Sequence, residues 1–164
     1  MATNPNTPKT LFIEGAQRQE FQINGDPNKI LRINITDSGI IERLQKYYPE
    51  LEKLSERADE AQKNLANLDE DNPVSEANIK ITAELRECDV EMRKFLDLLF
   101  DANVSEVCDE GGMMYDFLPN SGQQRYENIV ASIMTAYDNT LGETYKLIQK
   151  KRETHTKKYT KKKK

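Results

Sequence analysis

The stretch that decides the fold is residues 40–68, IIERLQKYYPELEKLSERADEAQKNLANL. Its apolar positions, Ile40, Leu44, Tyr47, Leu51, Leu54, Ala58, Ala61, Leu65 and Leu68, recur at alternating steps of four and three. That spacing holds one stripe on one side of an α-helix over about four heptads and aims it at a partner helix. From Glu50 onward nearly every residue is a good helix former. Asp37 or Ser38 supplies a side-chain oxygen to cap the free N–H groups of the first turn. Pro49 lies inside the stripe, lacks a backbone donor and crowds the preceding turn. A kink, or two helices meeting at Tyr48-Pro49, is predicted there.

Working outward, Asp69-Glu70-Asp71-Asn72-Pro73 breaks the pattern, and a second stripe follows: Val74, Asn78, Ile81, Leu85, Cys88, Met92, Phe95 and Leu99. Two heptad helices, 38–68 and 74–103, joined by a short loop fold back as an antiparallel hairpin. Each is about 40 Å long at 1.5 Å per residue. Phe95, Leu96, Leu98, Leu99 and Phe100 are more than a two-helix seam can bury, so this end is predicted to meet the sheet or the last helix.

Before the hairpin the periodicity is that of strands. Leu11-Phe12-Ile13 and Phe21-Gln22-Ile23 are strand candidates, and Leu31, Ile33 and Ile35 alternate with Arg32, Asn34 and Thr36. Asn24-Gly25-Asp26-Pro27 is turn chemistry between them. A small antiparallel sheet of two or three strands over 11–36 is predicted, with helices needed to cover it. After the hairpin, 104–122 reads as an irregular loop. A C-terminal helix over 123–148 carries Tyr126, Ile129, Val130, Ile133, Met134, Tyr137 and Leu141 on one face. The prediction is a mainly α single domain (α+β) over 11–148, a disordered lead-in over 1–10 and a basic tail over 149–164.

Composition narrows the function classes. Leu, Ile, Val and Phe make up 36 of 164 residues, and charged residues 32%, a lean-cored, surface-rich chain that disfavours a deep enzyme core. No apolar run is long enough to span a bilayer, and Met1-Ala2-Thr3-Asn4-Pro5 does not read as a signal peptide. The two cysteines, Cys88 and Cys108, and the single His155 argue against a disulfide framework and a zinc site. Intracellular synthesis is expected. The net charge of −4 conceals segregation: from Tyr145 to Lys164 there are ten Lys and Arg against Glu153 alone, leaving −13 on residues 1–144. The body repels nucleic acid, and only the tail could bind it, weakly.

No catalytic constellation stands out. Asp69-Glu70-Asp71-Asn72 fails the calcium-loop pattern, with Val74 and Lys80 where Gly and Glu are required. Cys88 sits at a core position of its heptad. Cys108, beside Asp109 and Glu110, has no neighbouring cation in sequence to activate it. His155 lacks a fixed partner, and Gly111-Gly112 matches no phosphate loop. No enzyme, cofactor or metal is expected. Two segments are candidates for partner binding. Met113, Met114, Tyr115, Phe117 and Leu118 form an adaptable apolar stretch, for which covering the end of the hairpin is the simpler role. The basic tail, with Lys150, Lys151, Arg152, Lys157, Lys158, Lys161, Lys162, Lys163 and Lys164, suits phosphates or an acidic neighbour. With only Tyr159 interleaved, base stacking is not indicated.

From Phe21 to Tyr145 the chain resembles the tail assembly chaperones of long-tailed, siphovirus-type bacteriophages and prophages of Gram-positive hosts. The resemblance lies in a β segment ending Ile33-Asn34-Ile35-Thr36-Asp37 and in Ile41-Glu42-Arg43-Leu44 opening a charged helix. It continues through Phe95-Leu96-Asp97-Leu98-Leu99-Phe100, Gly111-Gly112, Met114-Tyr115-Asp116-Phe117-Leu118 and Tyr126-Glu127-Asn128. The chain departs from the family at Asp109-Glu110, where relatives carry an apolar residue. The resemblance implies a non-enzymatic protein of the bacterial host cytoplasm, absent from the mature virion. It implies binding and solubilising of the tape measure protein, and help in recruiting tail tube subunits. It also implies a frameshift-extended longer form, for which an adenine run encoding Lys161–Lys164 would be the slippery sequence. The alternatives are a structural virion or scaffold coiled-coil protein that self-associates as a homo-oligomer and touches nucleic acid through its tail, or a host coiled-coil adaptor.

Overall fold

A computed structural model describes residues 18–139. In chain order it has strands β1 (Gln19–Gln22) and β2 (Ile30–Ile33), helices α1 (Ile40–Leu65) and α2 (Glu76–Phe100), and the short helix α3 (Val104–Val107). A fourth helix, α4, runs from 125 to the last described residue, 139. The protein is mostly helical with a small two-stranded antiparallel sheet at its N-terminal side, and α1 and α2 pack as a hairpin. The predicted lead-in, Leu11-Phe12-Ile13, Leu141, His155 and the basic residues from Lys150 to Lys164 lie outside the described residues. No described helix is long and apolar enough to cross a membrane.

The two stripes read from the sequence meet each other. Leu51, Leu54, Ala58 and Ala61 of α1 and Leu85, Cys88, Met92 and Leu99 of α2 are buried in one cluster. Across 25 and 26 residues the helices extend about 38 Å. α1 runs unbroken through Pro49, which overturns the reading of two helices meeting at Tyr48-Pro49. Ile40 before the proline and Leu51 after it are buried in the same cluster, so packing keeps the helix continuous despite the lost donor. Val74 is 76% exposed and does not belong to the second stripe. It precedes the helix, whose N-cap is Ser75, the hydroxyl oxygen accepting the Asn78 N–H at 3.2 Å.

Asn78, at a stripe position, is buried and closes the hairpin loop. Its Oδ1 accepts the Asp69 N–H at 3.1 Å, and its Nδ2 donates to the carbonyls of Asp69 (3.0 Å) and Asn72 (3.2 Å). The Asp69 carboxylate in turn accepts the N–H groups of Asp71 and Asn72. One buried amide therefore satisfies the backbone of the turn that joins the helices.

At the other end the hairpin, sheet and α4 converge, as the excess of apolar residues there predicts. Leu96, Leu99 and Phe100 are buried with Leu31, Ile33, Ile35 and Val104. Phe100 stacks on Tyr137 with ring centroids 6.5 Å apart, and Tyr47 meets Phe95 at 5.8 Å. Leu98 differs from its neighbours in being 45% exposed. Asp37 organises the start of α1: its Oδ1 accepts the Gly39 N–H at 2.8 Å and its Oδ2 pairs with Arg43 at 2.5 Å. Arg43 Nε then donates to the Leu99 carbonyl at 2.8 Å, tying the first turn of α1 to the last of α2. The cap read for Asp37 or Ser38 is not made: the N-cap is Gly39, with no side-chain cap on the first turn, and the Asp37 carboxylate instead accepts the N–H of Gly39 itself.

The sheet pairs Gln19 with Ile33 and Phe21 with Leu31. Leu31, Ile33 and Ile35 are buried, while Arg32 is exposed, the alternation expected of a half-buried strand. Asn24 and Gly25 both take left-handed φ values, 52° and 75°, and the Asp26 N–H donates to the Ile23 carbonyl at 3.0 Å. A second turn follows, the Lys29 N–H donating to the Asp26 carbonyl at 3.1 Å, and the Ile23 N–H donates to the Lys29 carbonyl at 3.0 Å to close the connection between the strands. The segment read as wholly irregular, 104–122, contains α3, because the Asp97 carboxylate accepts both the backbone N–H (2.7 Å) and the hydroxyl (2.8 Å) of Ser105. A cap supplied by a residue of α2 has no local signature.

Asp37 gives a pH prediction. The Arg43 hydrogen bond, followed by that from the Gly39 N–H, lowers its pKa from 3.8. A depressed carboxylate adds stability above its unfolded pKa and loses it as pH falls through the folded value. Urea unfolding at several pH values should therefore show Asp37→Asn less stable than the parent at neutral pH. The gap should narrow below about pH 4; a constant gap would count against the pair.

Candidate functional site

The loop singled out in the sequence is organised by two charged residues on α2. Arg93 Nε pairs with Asp89 Oδ2 at 2.7 Å, while its other nitrogens reach Asp109 Oδ2 at 3.1 Å and the Gly112 carbonyl at 3.1 Å. Asp89 Oδ1 accepts the Met114 N–H at 2.6 Å. Gly112 has φ +81°, and a Cβ there would lie 2.8 Å from Asp116 Oδ2, which accepts the Met113 N–H at 2.8 Å. The turn thus requires glycine both for its backbone conformation and for space.

With the backbone so held, Met114 is fully buried and Tyr115 is 2% exposed, its hydroxyl donating to the Leu85 carbonyl at 3.3 Å. Met113 and Leu118 are half-buried, and Phe117 is 59% exposed. Of the five loop residues read as partner-binding candidates, Met114 and Tyr115 are core, and Phe117 is the one that faces outward. The basic tail candidates are outside the described residues.

Asp109 and Glu110 both have defined partners. Asp109 takes Arg93 and the Gly111 N–H at 2.9 Å, and the latter is the main cause of its lowered pKa. Glu110 pairs with Lys29 at 3.0 Å and accepts from Asn24 at 3.3 Å. Lys29 also donates to the Asp109 carbonyl. These contacts fasten the β1–β2 turn to the glycine loop.

Between this turn and α4 lies a groove of about 440 Å³, within the range of small-ligand and side-chain pockets. Phe21, Leu31 and Ile33 line it from the sheet, Ile129 and Ile133 from α4, and Cys108 and Leu118 from the loops. Arg125 also lines it, at the start of α4. Its Nε is buried and has no hydrogen-bond partner. Sequence reading missed this groove because its walls come from separated segments. The only local trace is Ser132, a small residue that breaks the apolar series of α4 and lines the groove.

Neither cysteine is poised for chemistry. Cys88 is fully buried, and burial raises its pKa. Cys108 is pushed up to about 11, chiefly by burial, against the opposing influence of Lys29. The sequence placed no cation near Cys108; the fold brings Lys29 close, and burial outweighs it.

Two outcomes are expected. Iodoacetamide at pH 8 should leave both thiols unmodified in the native protein and label both after denaturation. Asp89→Ala, which leaves the Met114 N–H without its acceptor and removes the partner of Arg93 Nε, should cost about 2 kcal/mol in urea unfolding. The same change should expose the 113–118 loop to proteases, whereas unchanged proteolysis would show that the loop is held by other contacts. Comparisons with protein-family models, with curated proteins and with solved structures found no match to this chain.

Proposed function

We propose that the protein is a tail assembly chaperone of the phage type. In this reading it is not an enzyme; it binds and solubilises a tape measure protein, helps recruit tail tube subunits and works in the cytoplasm of the bacterial host. The supporting observation is that the segments carrying the family resemblance are also those that organise this fold. Ile33 and Ile35 are buried strand-side residues, and Asp37 clamps the start of the hairpin. Leu96, Leu99 and Phe100 form the convergence of helices and sheet. Gly111 and Gly112 make the turn that sends Met114 and Tyr115 into the core. A charged hairpin body with a limited apolar groove suits a protein that must shield apolar client segments without aggregating.

The rival reading, a self-associating coiled-coil scaffold, relies on the heptad stripes being available to another chain. Here α1 and α2 use those stripes against each other, which weakens that reading. The longer form belongs to this proposal too, with translation slipping at the codons for Lys161–Lys164.

A tagged pull-down from host cells expressing the phage tail genes tests the reading. A long, helix-rich tail protein should be recovered and should remain bound when salt is raised severalfold. Nucleic acid held by the basic tail would instead dissociate steeply, by about a thousandfold in affinity between 50 and 200 mM salt. Intact-mass spectrometry should reveal a minor species extending beyond Lys164. Recovery of the protein alone, or of salt-sensitive nucleic acid, would overturn the chaperone reading.

A further inference from the structure

Arg125 stands out among the cations around the groove. After the Gly111 N–H and Arg93, its charge contributes to lowering the pKa of Asp109, but among the described residues no acid forms an ion pair with it, and the nearby acids hydrogen-bond to other groups. Asp116 Oδ2 accepts the Met113 N–H, Asp109 is held by Arg93 and the Gly111 N–H, and Glu110 is held by Lys29 and Asn24. Arg125 Nε is buried without a hydrogen-bond partner, an arrangement that costs free energy until an anion arrives. The start of α4 does not itself provide an anion site. The N–H groups of Arg125 and Tyr126 donate to the carbonyls of Asp116 and Met114, and that of Gln124 donates to Glu127. The charge facing the groove is therefore the side chain's.

The groove also has a direction. Among the described residues β1 pairs with β2 alone. Phe21 and Ile23 turn their backbone groups toward β2, and the alternate residues Glu20 and Gln22 turn theirs to the outer edge, unpaired among the described residues, with Gln22 at the groove. A chain laid along that edge gains main-chain hydrogen bonds while alternate side chains enter the groove. We infer that the groove between β1 and α4 docks an extended apolar segment of a client protein bearing an internal Asp or Glu, whose carboxylate takes the Arg125 guanidinium. That the occupant is a client rests on the chaperone reading; the apolar segment and its carboxylate follow from the groove itself.

The test uses the full chain and a fluorescent peptide, Ser-Leu-Phe-Leu-Glu-Leu-Ser, against its Gln counterpart. The Glu peptide should bind about tenfold tighter or more, the scale of a charge-assisted hydrogen bond. Arg125→Met, which keeps the packing of the side-chain stem, should abolish that preference while leaving binding of the Gln peptide intact. Ser132→Trp, at an exposed groove position on α4, should weaken both peptides and provides a test even where Arg125→Met misfolds. Equal binding of the two peptides, or undiminished binding by Ser132→Trp, would overturn the assignment. So would a photo-crosslinker at position 132 that captures Leu11–Glu14 of the same chain in place of the peptide. Client recovery that survives Ser132→Trp would remove the site and keep the chaperone. Peptide binding without any client would keep the site and remove the chaperone.

Discussion

The Arg93 guanidinium is the interaction on which the irregular half of the molecule depends. A helix presents one face to its hairpin partner, and its remaining charged residues would ordinarily be solvated. Here Asp89 and Arg93, one turn apart on α2, are used to hold a segment that has little regular structure of its own. Through them the chain from Ser105 to Met114 gains fixed points on a rigid element. Tyr115 and α4 follow from those points. A loop with two positive-φ glycines loses much conformational entropy on ordering, and charge-assisted hydrogen bonds are well suited to offset that cost.

The regular elements were legible because each has a period or a turn residue that speaks for itself. The heptad stripes gave the hairpin and most of its buried residues, and the alternation through Leu31, Ile33 and Ile35 gave β2. Asn24-Gly25 marked the strand turn. Errors arose where packing or long-range bonding outweighed a local rule. Pro49 reads as a break, yet buried residues on both sides hold α1 in one piece. Val74 extends the stripe on paper but falls before the Ser75 cap. α3 is capped by Asp97, from a different helix. Acids and arginines inside a heptad frame look like a solvated surface, so nothing in the local sequence pointed to Asp89 and Arg93.

The groove was illegible for a related reason: residues of a sheet, two loops and a helix meet only after the core has formed. Its chemistry nevertheless depends on individual residues that a linear reading passes over. Arg125 looks like one more surface charge at the mouth of a helix until its Nε is seen to be buried without a hydrogen-bond partner. Phe117, singled out as part of an apolar run, ends outside while its neighbours Met114 and Tyr115 turn inward. The run contains two different environments within a few residues.

The bond between Arg18 and Asp101 has a kinetic consequence. It joins the residue before β1 to the left-handed cap of α2 across 83 positions, and a two-stranded ribbon is marginal in isolation. Closing that separation is unfavourable until the hairpin provides a surface on which the strands can condense. Chain topology therefore favours forming the hairpin before the ribbon, since the contacts of α1 and α2 close a shorter separation. Amides of β1 would exchange with solvent through a smaller opening than those at the centre of α2. The wall of the groove nearest its open edge is then the part of the molecule that is easiest to displace without unfolding the rest.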